Sequence, residues 1–388
     1  MRWHIAPACL LFAWLGTTAL VSAAPTPQQA TPVVRWQLPL PGWGEPAADD
    51  SAAFFLTRAH EVVSVDAATG SIRWRSDTGG TGDVPTGTQV RLASARVLVG
   101  DGGVVSLDRA SGRKVWRFEA PDGDDPGVFL GAADADLVVA GSPMGRLYAV
   151  DAVSGAARWT REIAKGTRRV VFAPVHVGPL IVASFTTFDG PLSGGLVGFD
   201  RMGRRRWTHR FGAGAGAAGP PVVLGNVVAV ARTDGHIEVV RPASGRRVWV
   251  VGPDASSSDG AHGRDIRALA LHADQLVATS LKGPIRAYDV HSRRQRWEYG
   301  DSPTDAVALR VRAYGDQLYV PYSDGSLVAL DLRTGTERWR TANTSQSFDW
   351  PPAASATTIF ASATEALWAF HLHPIEMAPR QEYGDDDR

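Results

Sequence analysis

The chain has 388 residues, enough for a large core, and its 40 Lys and Arg residues balance its 40 Asp and Glu residues. A formal net charge of zero argues against both a nucleic-acid-binding protein and a strongly acidic one. The only cysteine is Cys9, so no disulfide and no cysteine metal ligand is expected in the rest of the chain.

The first 23 residues predict a signal peptide, with cleavage after Ala23. Arg2 supplies a positive start, and the apolar stretch CLLFAWLGTTALV follows over 9–21. This stretch is short for a transmembrane helix, although an uncleaved anchor is the alternative. Cys9 stands at the beginning of the apolar run, whereas the acylated cysteine of a bacterial lipoprotein follows it. We therefore expect an exported, soluble protein without a lipid anchor, either periplasmic or secreted.

Seven near-copies of one pattern occupy most of the chain. Two of them are VVSVDAATGSIRW (62–74) and LVALDLRTGTERW (327–339). Alternating apolar residues indicate a half-buried strand, Asp-x-x-Ser/Thr-Gly indicates a turn, and Trp begins the next strand. We interpret the repeated aspartates and tryptophans as structural. The aspartates are Asp66, Asp108, Asp151, Asp200, Asp289 and Asp331, and the tryptophans are Trp74, Trp116, Trp159, Trp207, Trp249, Trp297 and Trp339.

The spacing of the repeat predicts β-propeller blades. Trp74 and Trp116 are 42 residues apart, and Trp159 and Trp207 are 48 apart. A period of about 40 residues with four strands is typical of a propeller blade. Residues 219–251 show one such unit, with strands in GPPVVLG, NVVAVA, HIEVVR and RRVWVV. We name the four strands of a blade A to D, from the central channel outward.

The two ends of the repeat region indicate an eighth blade. Residues 347–373 supply three strands without a fourth, and PVVRWQLPL (32–40) supplies a D-like strand with Trp36 at the repeat position. We predict an all-β protein with a single eight-bladed propeller over 32–373. Pairing of residues 32–40 with 366–372 would close the ring and remove its exposed sheet edges.

The segments that flank the propeller predict no regular structure. Residues 24–31 contain two prolines and no apolar periodicity, which favours an extended leader. Residues 374–388 end in YGDDDR and combine prolines with acidic residues. A disordered tail is expected there, because such a composition buries little apolar surface.

A propeller whose blades end in Ala/Val-x-Asp-x-x-Thr/Ser-Gly-x-x-x-Trp resembles the pyrroloquinoline-quinone-like (PQQ-like) repeat family, over about residues 32–373. One branch comprises the quinoprotein dehydrogenases, which bind the quinone with a cysteine pair, stacking aromatics and a calcium ion. This chain has no cysteine after Cys9 and no long insertions. These departures from the quinoprotein branch imply that the chain has no cofactor and no metal site, and we expect the protein not to be an enzyme.

A second branch is that of outer-membrane protein assembly factor B, a periplasmic scaffold of eight blades that the N-terminal strand closes. Its members help the β-barrel assembly machinery to insert outer-membrane proteins, and they are usually lipoproteins, a feature this chain lacks. The resemblance implies that the protein has a partner protein in the envelope. It also implies that no membrane-spanning segment remains after signal cleavage and that the protein does not bind nucleic acid. It also implies a monomer that works within a complex.

The same resemblance implies two partner-binding residues. In that branch an Arg that leads into blade four, before Ser-Ala-Pro, and acidic residues that lead into blade six contact the barrel component. Here Arg169 precedes Ala173-Pro174, and Asp265 falls at one of the acidic positions. Arg168 stands where a Leu is expected, which is a departure from the branch.

Loop lengths favour one face of the propeller for binding. Because strand direction alternates within a blade, the B–C and D–A connections emerge on the same face. Two long ones, 184–195 and 252–265, both lie there. Variable loops on a rigid scaffold often carry function, so we expect this face to bind a partner. The alternative is that these loops are tolerated insertions.

Two further hypotheses remain open. In the first, the central channel binds a small molecule or carries out a quinoprotein-like reaction. The few charged candidates for such a site are Arg310, Arg312, Arg264 and Arg267. In the second, the protein is an extracytoplasmic sensor subunit whose membrane partner is a separate chain.

Overall fold

The computed structural model of the protein describes residues 31–81, 88–120, 127–252, 266–280, 283–300, 310–341 and 346–372. Within these ranges the chain forms strands and no helix. The strands make eight sheets, and these confirm the predicted all-β, eight-bladed propeller. The predicted signal peptide, most of the leader and the predicted tail lie outside the described residues.

The strands follow the A-to-D order in the first four blades. The N-terminal strand is β1 (Val34–Leu38), and blade one contains β2 (Gly42–Ala48), β3 (Ala52–Thr57), β4 (Glu61–Asp66) and β5 (Ile72–Asp77). Blade two contains β6 (Val90–Ala93), β7 (Arg96–Gly100), β8 (Val104–Asp108) and β9 (Lys114–Phe118). Blade three contains β10 (Phe129–Ala133), β11 (Leu137–Gly141), β12 (Arg146–Asp151) and β13 (Ala157–Glu162). Blade four contains β14 (Arg169–Val171), β15 (Val175–Val177), β16 (Leu180–Thr187), β17 (Ser193–Asp200) and β18 (Arg205–Arg210).

The remaining blades repeat this order. Blade five contains β19 (Val222–Leu224), β20 (Val227–Ala231), β21 (Ile237–Arg241) and β22 (Arg246–Val251). Blade six contains β23 (Ile266–His272), β24 (Gln275–Ser280), β25 (Gly283–Asp289) and β26 (Gln295–Tyr299). Blade seven contains β27 (Arg312–Tyr314), β28 (Gln317–Pro321), β29 (Leu327–Asp331) and β30 (Glu337–Arg340). Blade eight contains β31 (Ala353–Ala354), β32 (Thr358–Ser362) and β33 (Leu367–His371).

The N-terminal strand completes blade eight, as predicted. Strand β1 pairs antiparallel with β33, so that Trp36 lies opposite Ala369 and Leu38 opposite Leu367. Trp36 is buried, and its ring lies 5.9 Å from that of Phe360 on β32. The outer edge of β33 is thereby covered by a strand from the other end of the propeller.

The repeated turn and tryptophan connect neighbouring blades at the rim. Asp66 accepts hydrogen bonds from the backbone N–H groups of Ala68 (3.0 Å) and Thr69 (2.9 Å), which shapes the turn of blade one. The indole of Trp36 donates to the Ala67 carbonyl in that turn, at 3.1 Å. Gly70 has a φ of +74°, and a Cβ there would lie 2.8 Å from the Trp36 ring. Glycine is therefore required both by the backbone and by the indole that covers it.

Five more tryptophans make the same contact with the next blade. Trp74, Trp116, Trp159, Trp207 and Trp297 donate to the carbonyls of Arg109, Ala152, Arg201, Pro242 and Leu332. Each indole also lies against the turn glycine of that blade, at Gly112, Gly155, Gly203, Gly245 and Gly335. The rim is therefore a series of equivalent joints, each made by a large apolar side chain with one polar atom satisfied.

Two joints of the rim differ from the others. In blade six the turn position of glycine is taken by Arg293, which adopts a φ of 63°. Between blades seven and eight, the Trp339 indole N–H is buried and has no hydrogen-bond partner among the described residues. The carbonyl of Leu372 instead accepts from the Gln317 side chain, at 3.1 Å.

The core consists of apolar layers between adjacent sheets. Between blades one and two, Phe54 and Leu56 pack with Val97, Val105 and Leu107 from the neighbouring sheet. All five are essentially inaccessible to solvent. Because every sheet is covered on both faces by its neighbours, its B and C strands are mostly apolar and buried.

Candidate functional site

The predicted partner-binding residue Arg169 begins β14, the inner strand of blade four. Its Nε donates to the Met144 carbonyl at 2.6 Å, and its Nη1 contacts the Gly166 carbonyl. Glu162 lies 3.8 Å from the same guanidinium, and only 15% of the Arg169 side chain is exposed. The side chain therefore holds together the B–C turn of blade three and the connection into blade four.

The β16–β17 hairpin of blade four lies next to Arg169 and is held in place by hydrogen bonds. Strands β16 and β17 pair as far as Thr187 and Ser193. The Asp189 carboxylate at the tip accepts from the Thr167 hydroxyl at 2.8 Å and from the Arg168 backbone N–H at 3.2 Å. These hydrogen bonds, that of Arg168 above all, hold the pKa of Asp189 below its usual range. The tip is thus fixed onto the chain that leads into the blade.

We call residues 166–169 and 187–190 the blade-four platform. Arg168 is exposed on this platform, and 43% of Phe188 is exposed beside it. The backbone N–H of Phe188 donates to the Arg168 carbonyl at 2.7 Å, which keeps the two residues together. An exposed guanidinium next to an exposed aromatic ring suits recognition of another protein, because Arg and aromatic residues are enriched at protein interfaces. The sequence placed Arg169 here, but the structure exposes Arg168 and Phe188 instead.

In blade four, the two short strands β14 and β15 together take the place of a single A strand. Arg169 lies opposite Thr187 on β16, and Val175 lies opposite Val182 on the same strand. Pro174 stands between them and has no N–H to donate, so the ladder is interrupted there. The break separates the platform from the part of the blade that lines the channel.

The other predicted partner residue, Asp265, lies outside the described residues, as does nearly all of the connection 252–265. The prediction for Asp265 is therefore untested. Arg264 also lies outside them, and the side chain of Arg267 is not among those described.

Buried polar clusters join neighbouring blades near the B–C turns. In one, the Asp101 carboxylate accepts from the Thr78 hydroxyl at 2.5 Å and lies 2.9 Å from His60 Nδ1. In another, the Glu238 carboxylate lies 2.5 Å from His209 Nε2 and 2.8 Å from Arg232. Each charged group in these clusters has a partner on the adjacent blade or strand, which is typical of a structural role.

The A strands surround a central cavity of about 820 Å³, to which all eight blades contribute. Arg310 and Arg312, which the sequence singled out, both line it. They face Glu45 of blade one, at 3.6 and 2.9 Å. Glu45 and the nearby Arg91 of blade two were not foreseen, because the position of one A strand relative to another depends on closure of the ring.

The described part of the chain contains neither a candidate metal-binding group nor a candidate membrane-spanning helix. It has no group of three or more His, Cys, Asp or Glu side chains that could hold a metal ion. It also has no helix with the length and apolar character of a membrane span.

Eight blades, a closing N-terminal strand and tryptophans that cover the turns of the next blade define a PQQ-like repeat β-propeller. A family model described as outer membrane protein assembly factor BamB matches residues 28–249 and 192–370. The protein belongs to this family.

Individual relatives are distant. Outer membrane protein assembly factor BamB of Burkholderia pseudomallei is 24% identical over 173 residues, which are 35% of this chain and 45% of that protein. Tetrathionate hydrolase of Acidithiobacillus ferrooxidans is 24% identical over 235 residues, 55% of this chain and 46% of that protein. The chain thus spans less than half the length of each of these relatives.

The crystal structure of BamB from Moraxella catarrhalis is similar across most of the chain. It has a TM-score of 0.66 and 18% sequence identity, and the match covers 89% of this chain and 100% of that one. At this identity the similarity establishes the fold alone.

Proposed function

We propose that the protein is a non-catalytic, exported scaffold that binds a protein partner in outer-membrane β-barrel assembly. The observation that carries the proposal is the match to the BamB family model, which extends over nearly all of the propeller. The similarity to a BamB protein of known structure is consistent with it. Similar propellers also occur in enzymes, as the match to a tetrathionate hydrolase indicates, so the absence of catalysis is part of what is proposed.

The partner is proposed to bind the blade-four platform. Arg168 and Phe188 supply exposed charged and aromatic surface there, while Arg169 and Asp189 fix the backbone beneath them. In this arrangement Arg169 positions the platform, and Arg168 takes over contact with the partner. Asp265, which the resemblance assigns to the same face, is proposed as a second contact.

The experiment is an affinity pull-down from native envelopes with the chain tagged at residue 388, followed by mass spectrometry. The test variants are Arg168→Glu and Asp265→Arg, and the control is Arg205→Glu, on the exposed outer strand β18 of the same blade. We expect the unmodified chain and the control to recover a component of the β-barrel assembly machinery, and Arg168→Glu to lose it. Equal recovery by all variants would exclude the platform, and no such component in any sample would contradict the assembly role.

A further inference from the structure

Three arginines from two blades surround one carboxylate from a third blade in the channel. Glu45 Oε2 lies 3.0 Å from Arg91 Nη1 and 2.9 Å from Arg312 Nη2, and Glu45 Oε1 lies 3.6 Å from Arg310 Nη1. Only 7% of the Glu45 side chain is exposed. Burial alone would raise its pKa, but the three guanidinium groups outweigh burial and lower the pKa to about 2. Glu45 is therefore ionised at neutral pH.

The cluster carries more positive than negative charge. Among the described residues that line the cavity, Glu45 is the only acidic one, and Arg91, Arg310 and Arg312 are the only arginines. The three arginines therefore share one carboxylate, which leaves an excess of two positive charges among the described residues of the channel. Burial and the nearby Arg91 both lower the pKa of Arg312, so the like charges repel one another. An anion that enters the channel would relieve this repulsion.

The guanidinium groups are accessible from the channel. The exposed fractions of the Arg91, Arg310 and Arg312 side chains are 31, 36 and 36%. A guanidinium has five N–H donors in a planar fork, and Arg312 donates to Glu45 through Nη2. Arg91 already donates through Nη1 to Glu45 and through Nη2 to Gln89. The donors that remain for the two oxygens of a planar oxyanion therefore lie mainly on Arg310 and Arg312, and guanidinium binds such an anion in a bidentate manner.

Aromatic rings hold part of the cluster in place. The Arg310 guanidinium lies 4.8 Å from the centre of the Trp350 ring. Trp350 in turn packs edge-to-face with Trp43, at 5.7 Å. Stacking of this kind fixes the orientation of a guanidinium before a ligand arrives, which reduces the entropy lost on binding.

Apart from His176, the side chains on the opposite wall of the cavity are apolar. Phe129 of blade three and Phe172 of blade four stack there with ring centres 6.3 Å apart. Pro174, Val222 and Leu269 continue this wall around blades four to six. A volume of about 820 Å³ lies within the range of small-molecule sites, which combine apolar walls with a few convergent polar groups.

We propose that the channel binds a small organic dianion, with its carboxylate or other oxyanion groups on Arg91, Arg310 and Arg312 and its apolar body on the opposite wall. Glu45 orients the three guanidinium groups and also competes with the ligand for them. This site is independent of the blade-four platform, so it can exist whether or not the proposed assembly partner binds.

The test is isothermal titration calorimetry of the full chain with three probes at low ionic strength, namely phthalate, succinate and inorganic phosphate. Phthalate combines two carboxylates with an aromatic body, succinate has little apolar surface, and phosphate has none. We expect phthalate to bind most tightly. We also expect binding to weaken as salt is added, because added ions screen the charges.

Variants of the cluster should change the affinity in opposite directions. Arg312→Gln is expected to weaken phthalate binding about tenfold or more, because it removes a charge-assisted hydrogen bond. Arg91→Gln should act similarly and serves if Arg312→Gln does not fold. Glu45→Gln should tighten binding several-fold, since it removes the competing carboxylate. The control Arg338→Gln lies in the same blade as Arg312 but pairs with Asp316 and Asp331 at the outside, and it should bind like the unmodified chain.

A merely structural cluster would give a different pattern. Phthalate would then produce no saturable heat with the unmodified chain or with any variant. That result, or weaker phthalate binding by Glu45→Gln, would overturn the proposal. If phosphate bound as tightly as phthalate, the proposal of an organic ligand would be wrong, and the site would be assigned to inorganic oxyanions.

Discussion

At the rim of the propeller the same residues recur from blade to blade, whereas the residues that line the channel vary around the ring. The contact of Trp116 with the Ala152 carbonyl in the next turn has an equivalent in most other blades. Glu45, by contrast, is the only acidic side chain among the described residues that line the channel, and the wall opposite it carries Phe129. Where one structural requirement is met many times, the same residues are selected each time. The channel does not have to meet such a requirement, so it is free to acquire a specific ligand.

The closing strand should be the most sensitive part of the rim. Deletion of residues 32–40 would remove Trp36 and expose the edge of β33, which now pairs with β1. We expect the ring to lose cooperative folding and to aggregate, because an open apolar sheet edge pairs with other chains. Circular dichroism and size-exclusion chromatography would measure this. A monomer with an unchanged melting curve would show that closure contributes little.

A tryptophan at the rim should matter more than an aromatic residue in the channel. Trp116→Ala removes a buried indole and its hydrogen bond to Ala152, and about 3–5 kcal/mol of unfolding free energy should be lost. Phe129→Ala, on the partly exposed channel wall, should cost about 1–2 kcal/mol, since less surface is buried. Urea denaturation of both variants tests the difference. Equal losses would mean that the two regions are packed alike.

The charge cluster of the channel should give stability that depends on pH. Folding lowers the pKa of Glu45 from 4.5 to about 2, so its ionised form stabilises the fold fully above about pH 4.5. This contribution, on the order of 2–3 kcal/mol, should be lost as the pH falls toward 2. The unmodified chain should therefore exceed Glu45→Gln in denaturation midpoint at pH 7 by more than at pH 3. A gap that does not change with pH would contradict the role of the arginines in lowering this pKa.

Two glycines can separate the backbone requirement of a turn from the requirement for the indole above it. Gly112 and Gly178 both have positive φ, +73° and +57°. A Cβ at Gly112 would lie 2.5 Å from the Trp74 ring, whereas one at Gly178 would have nothing within 4 Å. Gly178→Ala should cost about 1 kcal/mol for its backbone alone. Gly112→Ala should cost about 1–3 kcal/mol more through overpacking. Similar denaturation midpoints would mean that the Trp74 indole can move aside without loss of stability.

The sequence was sufficient for the rim because most blades carry the same short pattern of turn and tryptophan. Asp66, Gly70 and Trp74 lie within nine residues of one another, and recurrence every 42 to 48 residues identified both the blades and the role of Trp36 in closure. Arg293 shows the limit of this approach: it occupies a left-handed turn position that the pattern reserves for glycine.

The channel could not be predicted in the same way. Arg312 and Glu45 are separated by 267 residues, and only closure of the ring brings them together. The one available signal was a charged residue in an otherwise apolar A strand, which pointed to Arg310 and Arg312 but not to their partner. Likewise, Arg169 was placed correctly in blade four, but its engagement with the Met144 carbonyl depends on the turn of another blade.

The pairing of β1 with β33 also determines the order in which the protein can fold. Blades one to seven are each built from neighbouring strands and can form as the chain emerges. Blade eight cannot, because its outer strand is the first to be made and its other three are the last. Joining ends so far apart in sequence costs loop entropy and slows folding. The first strand must therefore wait unpaired, and this interval is when the chain most needs protection from other chains.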